Sequence, residues 1–238
     1  MNIISLDKIS SAADEAPGQS PHLPRHDNVM SFTHELGAAV TLARWERADC
    51  CDSIVANSGI GWVLSGIVRK CLILESGQRR IVDLMMPGDF FCLKRNDTRQ
   101  FSFEVSTEET VTARIARRDF NSLATLQPVL YRFFYERTCQ TNSRLEDHIL
   151  IQGRTTSAQK IASYLCLLSR RLSEEHGEPV VLPMSRYDIA DHIGIAVETV
   201  SRAITELRRQ GVIELETPRS LVVRDTRKLA DGILPDFF

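Results

Sequence analysis

The stretch SRYDIADHIGIAVETVSRAITELRR, residues 185–209, constrains the fold more than any other part of this chain. Ser185 is a good N-cap for a short helix, with Asp188 at N3 to suit its positive end. Ile189 and Ile193 form the apolar side of that helix, and Ala190 is small where a second helix must cross closely. Gly194 permits the left-handed backbone of a tight turn. Ile195 and Val200 then return to the same small core. This order, short helix, glycine turn, longer helix, is a helix-turn-helix.

The second helix has two faces. Val197, Val200, Ile204 and Leu207 recur at helical spacing as an apolar stripe, and Glu198, Ser201, Arg202 and Thr205 recur at i, i+3, i+4, i+7 as a polar one. In a helix-turn-helix that polar face enters the major groove of double-stranded DNA. Arg202 carries the planar fork that matches guanine O6 and N7. Glu198 can accept from cytosine N4–H or orient Arg202, and Ser201 can meet a base edge or a thymine methyl. Thr205 completes the base-reading set. A plain i, i+4 ion pair between Glu198 and Arg202 in water is the competing reading.

Gly211 ends this helix. Val212–Glu216 and Leu221–Arg224 then read as two strands around Thr217-Pro-Arg-Ser220, a hairpin that makes the motif winged. Residues 151–238 hold 12 Lys/Arg and 12 Asp/Glu, and the whole chain has a net charge of −2, so bulk charge cannot drive DNA binding. Local groups are the candidates for phosphate contacts: Arg154, Lys160, Arg170 and Arg171, uninterrupted by an acid, then Arg186, Thr199, Arg208 and Arg209, and Arg219 and Ser220 at the hairpin tip.

The chain before this segment is of a different kind. Residues 1–30 carry Pro17, Pro21 and Pro24 among polar and small residues, as expected of a flexible leader. Residues 31–118 show short β-rich runs: Ser53–Ala56, Gly61–Leu64, Ile67–Leu74, Arg80–Met85, Phe101–Val105 and Val111–Ile115. They alternate with turn residues, which predicts an antiparallel sandwich or barrel. Residues 119–152 lack glycine and read as one long helix. Leu123, Leu126, Leu130, Phe133, Phe134, Leu145 and Ile149 offer more apolar surface than one face needs, enough to pack on the sheet and on a second subunit. Gly153 ends the helix and marks the boundary of a C-terminal domain, residues 153–238. Thr156 and Gln159 form a capping box, and Ile161, Leu165, Leu168 and Leu172 carry a further helix to about Ser173.

These parts together resemble the CRP/FNR superfamily of bacterial transcription regulators over about residues 40–225. Glu198-x-x-Ser201-Arg202 is similar to the DNA-reading signature of its FNR-like branch. The segment GQRRIVDLMMPGD, residues 77–89, looks most like FixK-type members. The resemblance implies an α+β fold: an N-terminal antiparallel β-roll or jelly-roll sensor domain, cyclic-nucleotide-binding-like, a long dimerisation helix and a C-terminal winged helix-turn-helix. It also implies a homodimer through residues 119–152, palindromic TTGA-type sites, contact with RNA polymerase, and control of low-oxygen or nitrogen-oxide respiration genes.

Departures from the family bear on cofactors. The first 49 residues contain no cysteine, so the family's N-terminal iron–sulfur cluster is not expected. Gly88-Asp89 is followed by FFCLKRNDTRQFSF without the Arg-Ser pair of cyclic-nucleotide binders, although Lys94, Arg95 and Arg99 could hold an anion. No histidine lies between His34 and His148, which restricts a haem in the sheet domain to Cys or other ligands. The expectation is no cofactor. The six cysteines, at 50, 51, 71, 92, 139 and 166, form no Cys-x-x-Cys pair and read as free thiols, with Cys50–Cys51 the candidate redox-responsive pair. No secretory signal is visible, and the longest uncharged stretch, 16 residues from Ser53 to Val68, is short and glycine-rich. A cytoplasmic protein with no membrane partner is expected.

Two other readings compete. A cupin-like metal enzyme needs a histidine–carboxylate cluster in residues 40–118, where no histidine occurs. A ligand- or redox-gated repressor of the same fold differs from an activator only in where it sits on a promoter.

Overall fold

In a computed structural model the described residues are 2–4, 26–47, 49, 59–77, 79–93, 101–126, 128–172, 179–182, 185–217 and 220–231. Two compact units meet between Ser143 and Arg144.

The N-terminal unit is built on two antiparallel sheets. Its strands are β1 (Asn2–Ile4), β2 (Val40–Glu46), β3 (Gly59–Ser65), β4 (Val68–Ile73), β5 (Arg79–Met85), β6 (Phe90–Leu93), β7 (Phe101–Val105) and β8 (Glu109–Ala116). One sheet runs β1-β2-β8-β3-β6 and the other β5-β4-β7. Helix α1 (His26–Leu36) precedes β2, and α2 (Arg117–Leu126) and α3 (Pro128–Gln152) follow β8.

β3 explains how the layers hold together. Ile60, Trp62 and Leu64 face the helices, where they pack with Val29, Phe32, Leu36 and Phe120. Val63, from the opposite face, packs with Ala43, Trp45, Val68, Met85, Phe91, Phe103 and Val105 of the space between the sheets. A strand covered on both sides loses the apolar–polar alternation of a half-buried one. The indole N–H groups are satisfied inside this core. Trp62 Nε1 donates to Thr33 Oγ1 at 3.0 Å, and Thr33 in turn donates to the Val29 carbonyl at 2.7 Å. Trp45 Nε1 donates to Thr112 Oγ1 at 2.9 Å.

Several expectations need correction. Residues 1–30 are not all leader: Asn2–Ile4 pair with Arg44–Leu42, and α1 begins at His26 and buries Val29. The sheet region therefore does not open at residue 31 with a strand, since that position lies on the same helix. Strand β2 carries Arg44 and Glu46 and escaped notice because both its faces are used, Leu42 toward the helices and Ala43 and Trp45 toward the other sheet. The expected strand Ser53–Ala56 lies outside the described residues. The single helix expected over 119–152 is two, α2 and α3. Pro128 stands at the first position of α3, where its missing N–H costs nothing. The unit boundary falls inside α3 rather than at Gly153, because the last turns of α3 belong with the C-terminal unit.

The C-terminal unit contains α4 (Ser157–Leu172), β9 (Pro179–Val181), α5 (Arg186–Ile193), α6 (Val197–Arg209), β10 (Ile213–Thr217), β11 (Ser220–Val223) and α7 (Thr226–Asp231). The capping box before α4 is present: Gln159 N donates to Thr156 Oγ1 at 3.2 Å and Thr156 N to Gln159 Oε1 at 3.3 Å. The expected two-stranded hairpin is completed by β9, giving the order β10-β11-β9. Ile161, Leu165, Leu168, Ile189, Ile193, Val200, Ile204 and Leu207 are all buried in this unit.

Candidate nucleic-acid interface

The turn between α5 and α6 is set by local chemistry. Asp188 N donates to Ser185 Oγ at 3.2 Å and Ser185 N donates to Asp188 Oδ2 at 3.1 Å, a complete capping box. At the other end Gly194 adopts φ 68° and ψ 41°, and Ile195 N donates back to the Ala190 carbonyl at 3.0 Å. A β-branched residue is disfavoured in this left-handed conformation. Ala190 is buried at the crossing, as its size requires.

Ala196, the N-cap residue of α6, offers no side-chain cap. Thr199 N donates to the Ala196 carbonyl at 3.0 Å, and the N–H groups before it have no side-chain cap, as suits water or an anion. Val200, Ala203, Ile204 and Leu207 are buried, while Val197 is half-buried. On the other side Glu198, Arg202 and Thr205 are exposed and Ser201 is half-buried, so the four expected base-reading residues share one outward face. Among the described residues no ion pair joins Glu198 to Arg202, and both heads are available to a ligand. Thr205 is less free: its hydroxyl donates to the Ser201 carbonyl at 2.9 Å, which leaves its oxygen to accept.

The expected phosphate contacts divide. Arg154, Arg170 and Arg208 are exposed, and Lys160, Arg171, Arg186 and Thr199 are half-buried. Arg154, Lys160, Arg170 and Arg171 are not one patch. Lys160 lies in the first turn of α4 and Arg170 in its last, so at about 1.5 Å per residue some 15 Å of helix separates them. Arg209 is engaged: its Nε donates to Glu206 Oε2 at 2.7 Å. The hydrogen bond to Arg209 holds the Glu206 carboxyl below the usual carboxylate range, and the same bond holds the Arg209 guanidinium above its ordinary value. Arg219 lies outside the described residues. Ser220 is described only as the start of β11. The wing carries a pair that sequence reading missed, Arg224 Nη2 to Glu214 Oε2 at 2.8 Å, which lowers the Glu214 pKa. Tyr187 was also missed. It is 73% exposed beside Arg186 at the start of α5.

Other sequence candidates are placed as follows. Cys71 and Cys166 are buried free thiols and Cys139 is exposed on α3. Cys50 and Cys51, together with Lys94, Arg95 and Arg99, lie outside the described residues. Among the described residues no group of three His, Cys, Asp or Glu could hold a metal ion. No described helix is long and apolar enough to cross a membrane.

Comparison with known proteins returns the same architecture. Residues 159–231 match the Crp-like helix-turn-helix domain. The chain is 33% identical over 197 residues to the nitrogen fixation regulation protein FixK of Azorhizobium caulinodans, covering 82% of this chain and 78% of that protein. It is 32% identical over 187 residues to the transcriptional activator protein FnrL of Cereibacter sphaeroides, covering 73% of this chain and 75% of that one. Among solved structures, FixK2 from Bradyrhizobium japonicum superposes with a TM-score of 0.70 at 28% identity, covering 82% of this chain and 98% of that chain. CooA from Carboxydothermus hydrogenoformans shares the fold at a TM-score of 0.67 and 18% identity, covering 84% of this chain and 89% of that chain.

Proposed function

Because the chain belongs to the CRP/FNR superfamily of transcription regulators, in its FixK-like branch, we propose that it is a homodimeric activator that binds palindromic TTGA-type sites in double-stranded DNA. The observation that carries this reading is the outward face of α6, where Glu198, Ser201, Arg202 and Thr205 stand together over a fully apolar inner face. A helix with that division, placed second in a helix-turn-helix, has its polar side turned to the major groove. Arg202 pairs bidentately with guanine O6 and N7, Glu198 accepts from cytosine N4–H, and Ser201 and Thr205 fit base edges and thymine methyls. Arg154, Lys160, Arg186, Thr199 and Arg208 position the domain through phosphates.

Dimerisation runs through α3. Its 25 residues expose Tyr131, Tyr135, Leu145, Ile149 and Leu150, an apolar surface of the kind a second copy covers. Two recognition helices then read two half-sites about one DNA turn apart. The bound dimer contacts RNA polymerase and activates genes of low-oxygen or nitrogen-oxide respiration, as a cytoplasmic regulator and not as an enzyme. It needs no iron–sulfur cluster or cyclic nucleotide, a reading supported by the cysteine-free first 49 residues and the missing Arg-Ser pair.

The test is a gel shift with a TTGA palindrome and a scrambled duplex. Wild-type protein retards the palindrome selectively, and Arg202→Ala abolishes the selectivity. Unchanged preference in Arg202→Ala would refute the assignment of the reading face. In vitro transcription with purified protein, aerobic and anaerobic, tests the absence of an effector, and activity that appears only after a cluster or ligand is supplied would reverse it.

A further inference from the structure

Gln152 closes α3 with a side chain that grips another helix. The backbone of α3 ends just beyond it, where Gly153 N donates to the Ile149 carbonyl at 3.0 Å and Arg154 N to the Ile151 carbonyl at 3.2 Å. From this last turn Gln152 Nε2 donates to the His192 carbonyl at 3.1 Å. It also stands 3.3 Å from Nε2 of His148, one turn earlier on α3, whose ring stacks on that of His192. The other end of the amide reaches the turn of the motif: Oε1 lies 3.7 Å from where a β-carbon on Gly194 would sit. His192 belongs to the last turn of α5, where carbonyls have no partner within the helix. One planar amide therefore meets both the end of α5 and the glycine of the turn that leads into α6.

We propose that Gln152 is a positioning residue for DNA binding, one that fixes the angle between the last turn of α3 and the helix-turn-helix and so sets the half-site spacing the dimer accepts. This rests on DNA binding by α6 in a dimer joined through α3. The last turn of α3 has two sides. Ile149 and Leu150 are exposed, on the surface proposed to meet a second copy, while Ile151 is only 5% exposed. Burial of Ile151 anchors the turn but sets no angle, because apolar contact is non-directional. A hydrogen bond holds only within a narrow range of distance and direction, and Gln152 supplies that direction. Its described partners lie on α3, α5 and the turn, not on the outward face of α6. It thus acts on where the reading face is held, not on what that face reads.

Two reading helices on rigid joints accept half-sites at one separation. An added base pair moves one half-site by about 3.4 Å along the duplex and turns it by about 35° round the axis. A joint held by a directional bond resists that displacement, and a joint held by apolar packing alone follows it. One neutral hydrogen bond corresponds to about two- to tenfold in affinity.

The test is fluorescence anisotropy of the full-length protein on a TTGA palindrome, on versions with one base pair added to or removed from the gap, and on a single half-site. Wild type prefers one gap. Gln152→Leu keeps similar bulk without the donor, and Gln152→Glu keeps the length but turns oxygens toward the His192 carbonyl. Both variants are expected to narrow the gap preference by about two- to tenfold. Half-site affinity and sedimentation as a dimer stay as in wild type. Nuclear Overhauser contacts between the Gln152 side-chain amide and protons of His192 or Gly194, recorded on free wild-type protein, need no variant to fold and are expected to be present. A wild type indifferent to the gap, an unchanged preference in both variants, or absence of the Overhauser contacts would each overturn the positioning role. So would a fall in half-site affinity equal to that on the palindrome, the mark of a residue that only holds the fold. A wild type with no preference for TTGA DNA at any gap would strike the regulator reading itself, and with it the use assigned to Gln152.

Discussion

Arg202 and Arg209 sit seven positions apart on one helix, and their surroundings give them different work. Arg202 is exposed with no ion pair to Glu198, so its fork is open to a base. Arg209 is closed on Glu206, with Gln210 Nε2 also donating to that carboxylate at 2.8 Å. Arg202→Lys keeps a cation but loses the planar fork. Competition binding on single-base operator variants is expected to lose about 1–3 kcal/mol of discrimination at one base pair per half-site. Binding to random DNA stays near wild type, since the charge remains. Glu206→Gln is expected to act oppositely. It releases Arg209 to phosphate, so the slope of log affinity against log salt steepens by about 0.9 per half-site without a change in base preference. An unchanged slope would show that Arg209 is turned away from the duplex. Ser185→Ala removes one half of the capping box and leaves Asp188 with a lost partner. Urea unfolding should report about 1 kcal/mol lower stability of the transition that includes α5.

At the scale of elements, glycines decide where strands and helices can approach. A β-carbon on Gly59 would come 2.5 Å from the Ile115 carbonyl, a backbone atom in the neighbouring strand that cannot move aside cheaply. Gly59→Ala therefore strains the β3–β8 pairing and should destabilise the N-terminal unit by about 1–3 kcal/mol, measured by chemical denaturation. Gly61 is a different case, because the atoms a β-carbon would meet belong to the Phe91 ring, a side chain that can turn. Gly194→Val places a branched residue at φ 68°. About 1–2 kcal/mol of cost is expected from the left-handed backbone alone, along with a loss of specific DNA binding as α6 loses its angle to α5. Pro128 shows a helix break that helical periodicity hides: apolar spacing runs on through 119–152, and the ring only sets where the second helix starts.

For the whole molecule, the question is what covers α3. Its Ile149 and Leu150 are 68% and 67% exposed in the single chain, and Tyr131 and Tyr135 lie as open. Ile149→Glu puts a charge into the proposed dimer seam. Sedimentation at micromolar concentration should show wild type as a dimer and the variant shifted to monomer, with palindrome affinity lowered and half-site affinity retained. A variant that still sediments as a dimer would move the interface elsewhere. The net charge of −2 is a whole-chain property that says little about the interface, since the exposed Arg202 and Arg208 lie on one recognition helix. DNA affinity should still fall steeply with salt if the proposed phosphate contacts form, because they are local.

Much of the candidate site was legible in the residues themselves. The cap at Ser185, the left-handed Gly194, the buried Val200, Ile204 and Leu207, and the outward Glu198, Ser201, Arg202 and Thr205 obey rules that act within a few positions along the chain. Hydrogen bonds one turn away and a period of 3.6 residues leave a direct trace in sequence. What the tertiary structure alone decided depends on partners far along the chain. Asn2–Ile4 becomes a strand because Leu42–Arg44 offers an edge, and Pro179–Val181 because Ser220–Val222 does. Strand β2 hides its alternation because two different layers cover it. His148 and His192 stack although they lie 44 positions apart, and no local pattern announces such a meeting. Short-range geometry is written into neighbouring residues; long-range packing exists only once the chain has closed on itself.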